Sequence, residues 1–172
     1  ALPSARAVCE AAHAALASFR DFEPATSAYF EWLFFDNPLD DGRSLAERFL
    51  AGAARHLSPR VVDYIRLMSG THLHPYQIRK VVPDQGLQVR DLWTGEDRFI
   101  SEHAATTEVR RWQVLVARLA SHTDGSLQME GTPFVLPAAA RRDLMSDLKH
   151  AHKSYAKEPD ARARSPCTPS HQ

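Results

Sequence analysis

Tyr76-Gln-Ile-Arg-Lys-Val-Val82, Gly86-Leu-Gln-Val-Arg-Asp-Leu92 and Glu96-Asp-Arg-Phe-Ile-Ser101 are three short runs of β-forming residues in close succession. Tyr76, Ile78 and Val82 alternate on one face, as do Leu87 and Val89, which is the period of a half-buried strand. Turn chemistry separates the runs. Pro83-Asp84-Gln85-Gly86 sets Pro where φ is fixed and Gly where φ can be positive, and Thr94-Gly95 joins the second and third runs. A fourth run, Gln113-Val-Leu-Val-Ala-Arg-Leu119, is continuously apolar over Val114–Ala117 and reads as a central strand covered on both faces. Asp124-Gly125 then signals a hairpin, and Leu127, Met129 and Phe134–Leu136 supply the last strand or two. Five to six hairpin-linked strands over residues 73–136 predict a small antiparallel sheet or barrel of the SH3-like or OB-like kind.

Helical sequence flanks this region, so the expected class is α+β. Residues 1–72 read as about four helices. Ser4 caps a first, Ala-rich one reaching about Arg20, and Pro24 opens a second. Ser44-Leu-Ala-Glu47 is a capping box for a third, whose stripe is Leu45, Phe49 and Leu50. Ser58-Pro59 starts a fourth, with Val61/Val62, Ile65 and Met68 on the helical period and Gly70 placed to end it. Residues 137–156 read as a C-terminal helix with the narrow stripe Ala140, Leu144, Leu148, Ala151 and Tyr155. Residues 157–172, rich in Pro, Ser and charge, read as a disordered tail.

The second helix carries Tyr29, Phe30, Trp32, Phe34 and Phe35, which cannot all face one side. Tyr29, Trp32 and Phe35/Leu33 are assigned to the core, and Phe30 and Phe34, four apart, to a second face. That face is either wedged between the helical layer and the sheet or exposed for a protein partner.

Composition excludes several classes. Of 172 residues, 44% are hydrophobic and 24% charged, with 21 basic and 21 acidic side chains. A formal net charge of zero argues against a partner bound by whole-chain charge, such as duplex DNA or an anionic membrane, and leaves a local patch possible. No apolar run is long enough to span a membrane and no secretory leader is present, so a soluble, cytoplasmic protein is expected. The lack of an initiator Met reads as a processed or trimmed chain. Cys9 and Cys167, at opposite ends, predict no structural disulfide.

The run Tyr29-Phe-Glu-Trp-Leu-Phe-Phe-Asp36, with Asp41-Gly-Arg-Ser-Leu-Ala-Glu-Arg-Phe-Leu50 and Gly86-Leu-Gln-Val-Arg-Asp-Leu-Trp-Thr-Gly-Glu96, resembles a family of uncharacterised bacterial proteins. These often carry a SEC-C motif, a short Cys-rich zinc-binding element. The resemblance covers roughly residues 25–150. It implies helices followed by a small β-domain and carries no established activity. Cys167 stands alone in this sequence, so the zinc element is either absent or was cut away. Where such relatives often have Gly-Asp before the long apolar strand, this chain has Arg111-Trp112.

Candidate chemistry is sparse. His72 and His74 in Thr71-His-Leu-His74 share a side if extended and form at most half of a metal site. Cys9 and His13 lie one helical turn apart, with no third or fourth ligand at recognisable spacing. Asp36, Asp40 and Asp41 do not match a calcium loop, since Leu39 and Arg48 fall at positions that need oxygen ligands. Asp36 is therefore expected to cap or salt-bridge, and Asp91 to hold the Thr94 hydroxyl or backbone N–H groups of its turn. No catalytic motif, cofactor loop or metal signature is present, and the chain is read as leaning away from enzymes, with an enzyme or metal protein of unknown class as a minor alternative. The main reading is a protein-interaction module using Phe30 and Phe34. The alternative is a barrel binding RNA or single-stranded DNA through Arg90, Trp93, Arg98, Arg111 and Trp112, in the manner of basic surfaces interleaved with aromatics.

Overall fold

A computed structural model describes residues 23–39 and 41–155 of the chain. The first predicted helix, Cys9, His13, Cys167 and the predicted tail lie outside the described residues. Helix α1 (Glu23–Glu31) runs into a π-helical turn at Trp32–Asp36. Helices α2 (Leu45–Ala53) and α3 (Pro59–Ser69) follow. Strands β1 (Leu73–Val82), β2 (Gly86–Asp91), β3 (Asp97–Ser101), β4 (Val114–Ser121) and β5 (Leu127–Leu136) come next, and α4 (Arg141–Tyr155) closes the order. The class is α+β. Three helices and a π turn are described through residue 72. No described helix is long and apolar enough to cross a membrane.

The five strands form one antiparallel sheet in the order β3-β2-β1-β4-β5. The edge strands β3 and β5 approach each other without pairing, so the sheet is curled and its ladder stays open. Its inner face packs Tyr76, Ile78, Leu87, Val89, Ile100, Leu115 and Ala117 together, closed by Val109 from the loop before β4. Its outer face buries Leu73, Val114, Val116, Phe134 and Leu136 beneath Ala28 of α1 and Leu144 and Leu148 of α4. β4 lies between β1 and β5 and is buried on both faces over Val114–Ala117, as its unbroken apolar run requires.

Several local expectations need correction. Residues 127–136 form a single strand rather than two. Val116 pairs with Phe134 and Arg118 with Glu130, so β5 carries a bulge between them. Pro133 is tolerated there because a bulge needs no ladder donor. α2 is capped by the full Ser44–Glu47 box, yet its predicted stripe is not the buried one. Leu45 and Phe49 are exposed and Ala46 is buried, because a methyl group lets the helix approach its neighbours closely. α3 buries Val62, Ile65 and Met68 as expected, with Val61 exposed. Pro59 opens α3, but the Ser58 side chain makes no capping bond. Gly70 ends α3 in a right-handed conformation, so its freedom at positive φ is not used. Tyr29, assigned to the core, is exposed.

One polar residue sits at the centre of the outer-face packing. Alternation along β4 puts Val114, Val116 and Arg118 on the same face, and Arg118 is fully buried there. Its guanidinium forms an ion pair with the fully buried Asp36 carboxylate of the π turn. Arg118 Nη1 also donates to the Thr71 carbonyl at 2.6 Å, just past the end of α3. The Phe35 ring lies 5.6 Å from the guanidinium carbon. Glu31 Oε2 of α1 lies 3.6 Å from Arg118 Nε. Glu31 in turn occupies the space a side chain would fill at Gly131, whose φ of +71° sits in the β5 bulge. The bulge, the π turn and the end of α3 thus converge on one guanidinium.

Gly86 carries the tightest backbone approach in the sheet. At φ +155°, a Cβ on Gly86 would lie 2.0 Å from the Ile100 carbonyl oxygen of β3. Gly86→Ala is therefore expected to destabilise the fold by about 2–4 kcal/mol. In urea titration this appears as a lower midpoint with an unchanged slope.

Candidate functional site

Several large apolar side chains of the described helical layer are exposed. Tyr29, Phe30, Phe34, Leu45, Phe49, Val61 and Tyr64 are all exposed, and all come from α1, the π turn, α2 and α3. Phe99 on β3 and Trp112 before β4 are the other large exposed apolar side chains among the described residues. Phe30 is the most open, at 61%. The π turn controls how these rings are presented. Its Asn37 N–H donates to the Trp32 carbonyl at 2.9 Å, five residues back, so one extra residue enters the turn. That insertion carries Asp36 inward to Arg118 while Phe34 stays at the surface. Phe30 is in edge contact with Tyr29 at 6.1 Å, and Phe34 with Phe35 at 5.3 Å.

Tyr64 of α3 borders the polar centre. Partial burial and the charges of Glu130 and Glu31 raise its hydroxyl pKa, opposed by Arg118. Glu130 contacts His122 Nε2 at 2.9 Å. Elsewhere on the rim, Asp41 accepts from both Arg43 and Arg48, which holds its carboxyl far below the usual carboxylate range. The Asp41 and Glu130 carboxylates near these helices thus already have partners.

The five residues read as a nucleic-acid surface are not brought together on one face. Arg90 pairs in the ladder with Asp97, and its guanidinium grips that carboxylate at 2.8 and 2.7 Å. Arg98 faces Val89, which puts it on the opposite side of the β2–β3 ribbon, paired with Glu96 at 2.7 Å. Local acids thus neutralise both. Arg111 lies over the Trp112 ring at 4.2 Å, and Arg79, absent from the five, lies over it at 4.6 Å. Trp112 has φ +75°, a left-handed turn in which glycine is easier. The chain thus turns tightly before the apolar strand, with Trp112 itself at positive φ. Trp93 is half-buried against the outer-face core, away from Trp112.

The two candidate histidines also separate. His72 Nδ1 contacts Asp36 at 2.7 Å, whereas His74 Nδ1 lies 3.3 Å from Asp91. Among the described residues, no group of three or more His, Cys, Asp or Glu side chains is placed to hold a metal ion.

Asp91 organises the β2–β3 turn, as its position suggests. It accepts from the Trp93 N–H at 2.7 Å and the Thr94 N–H at 3.0 Å. Burial alone would raise its pKa, but the His74 contact and these two N–H groups outweigh that and hold the carboxyl below its ordinary value of 3.8. The Thr94 hydroxyl accepts from Glu96 N–H instead.

No protein-family model, curated protein or solved structure matches this chain. Sequence reasoning missed the Arg118 centre, because an arginine near the end of a strand reads as a surface charge. The only signal was its place on the Val114–Val116 face.

Because the folded Asp91 carboxyl is more acidic than in the unfolded chain, its stabilisation is full above pH 3.8. It is lost as pH falls through the lower folded value. Asp91→Ala is expected to cost about 1–2 kcal/mol at neutral pH. In denaturation series at stepped pH, the gap between the two proteins narrows below pH 3.8.

Proposed function

We propose that this protein is a non-enzymatic interaction module whose helical layer binds a protein partner presenting an apolar surface. The curled sheet, which we read as a small barrel of the SH3-like or OB-like kind, serves as the rigid support. The observation that carries this reading is the concentration of exposed Tyr29, Phe30, Phe34, Leu45, Phe49, Val61 and Tyr64 on consecutive helical segments. Aromatic side chains held on ordered helices lose little conformational freedom on binding, which is why they dominate contact energies at such surfaces. Charges at the margin that are already paired demand little desolvation from the patch itself. An amphipathic helix laid across the exposed faces of α2 and α3 suits this chemistry. The resemblance to uncharacterised SEC-C-associated bacterial proteins is compatible with this role and adds no activity to it.

Single Phe30→Ser and Phe49→Ser substitutions are expected to change unfolding free energy by less than about 0.5 kcal/mol, as for other exposed positions. They are expected to abolish capture of a partner that the unaltered protein and a Phe99→Ser control both retain. Loss of fold in the Phe30 and Phe49 variants would make these rings structural, and equal capture by all four proteins would remove the helical layer as the binding face.

A further inference from the structure

A groove lies between the β2–β3 turn and α4, apart from the helical apolar face. It has a volume of about 700 Å³, and Leu92, Trp93 and Met145 form its apolar floor. Arg141, Arg142 and Lys149 form its rim, with Ser146 between them, and no carboxylate lines it among the described residues. The helical period explains the segregation. At ~100° per residue, positions 141, 142, 145, 146 and 149 fall on one arc of about 140°. Leu144 and Leu148 fall on the buried side, and Asp143 and Asp147 on the remaining one. Asp143 touches Arg142 Nε at 3.4 Å from outside the groove. One turn beyond Lys149, Lys153 is exposed on the same arc. From Arg141 to Lys153 the cationic row extends roughly 18 Å at ~1.5 Å per residue.

The floor is held in place. Asp91 bonds the Trp93 and Thr94 N–H groups, and the Trp93 ring packs against the outer-face core. A fixed aromatic surface beside a row of like charges is the arrangement by which proteins take up single strands without reading sequence. Bases stack on the ring while phosphates follow the cations. We propose that this groove binds a short segment of single-stranded nucleic acid, with a base on Trp93 and phosphates along Arg141, Arg142, Lys149 and Lys153. Net neutrality of the chain does not oppose this, because the charge is local and the acids of α4 lie off the groove. This inference is independent of the helical-face reading and places the aromatic contact at Trp93 without Arg90 or Arg98.

The test is fluorescence anisotropy of the full chain with a labelled short oligouridylate, at low and moderate salt, beside a labelled oligoglutamate of equal charge. The expected result is oligouridylate binding that weakens as salt rises. Lys149→Glu and Lys153→Glu, both exposed, should each weaken it about tenfold. Arg111→Glu should leave it unchanged. Oligouridylate should also quench tryptophan emission in a Trp112→Phe background, as stacking on Trp93 requires, and oligoglutamate should not. Absence of oligouridylate binding at low salt would overturn the proposal. So would indifference to both lysine reversals, or oligoglutamate binding of equal strength without any oligouridylate quench, which would make the groove a site for acidic peptide.

Discussion

Arg118 and Asp36 are opposite charges held entirely away from water, and the helical layer is joined to the sheet through them. Removing both ions from solvent is costly, and their attraction offsets that cost only with good geometry and further hydrogen bonds. The surrounding structure supplies both. The π turn delivers Asp36, the chain after α3 delivers the Thr71 carbonyl, and the bulge at Gly131 leaves room for Glu31. A valine at position 118 would fill the same face of β4 without specifying which helix segment lies above it. The guanidinium donates to the Asp36 carboxylate and the Thr71 carbonyl together, which specifies the arrangement that brings these two beside it. Register of the helices on the sheet is therefore an electrostatic matter as much as an apolar one.

The same constraint accounts for the uncovered rings. Drawing Asp36 inward through an extra residue fixes the direction of the π turn, and Phe34 is left at the surface next to Phe35. α2 then approaches through Ala46, which turns Leu45 and Phe49 outward. The exposed apolar face is in this sense a product of how the layer is anchored, and the anchor holds in place the face we propose as a binding surface.

Much of the fold was legible because it is written in local chemistry. The Ser44–Glu47 box, Pro59 at the start of α3, the three hairpin turns and the central β4 all depend on residues near in sequence. What was not legible depends on distant partners. Nothing local distinguishes Arg118 from the other arginines of the β region, and nothing local inserts a residue at Trp32–Asp36. Residues 127–136 read equally as one strand or two, and only the bulge opposite Ala117 joins them into one. At the candidate sites the pattern repeats. The acids that neutralise Arg90 and Arg98 were visible beside them, but the strand register decides which carboxylate meets which guanidinium. The α4 cations were overlooked because that helix was read for its apolar stripe alone, although the same period sorts its charges.

The most direct test of this account is a double-mutant cycle on Arg118 and Asp36, read by equilibrium denaturation. Arg118→Ala and Asp36→Ala should each cost about 3–5 kcal/mol, because either leaves a buried charge without its partner. The double variant should cost much less than the sum, by about 2 kcal/mol or more. Single losses below about 1 kcal/mol, or strict additivity, would contradict the claim that this pair anchors the helices to the sheet.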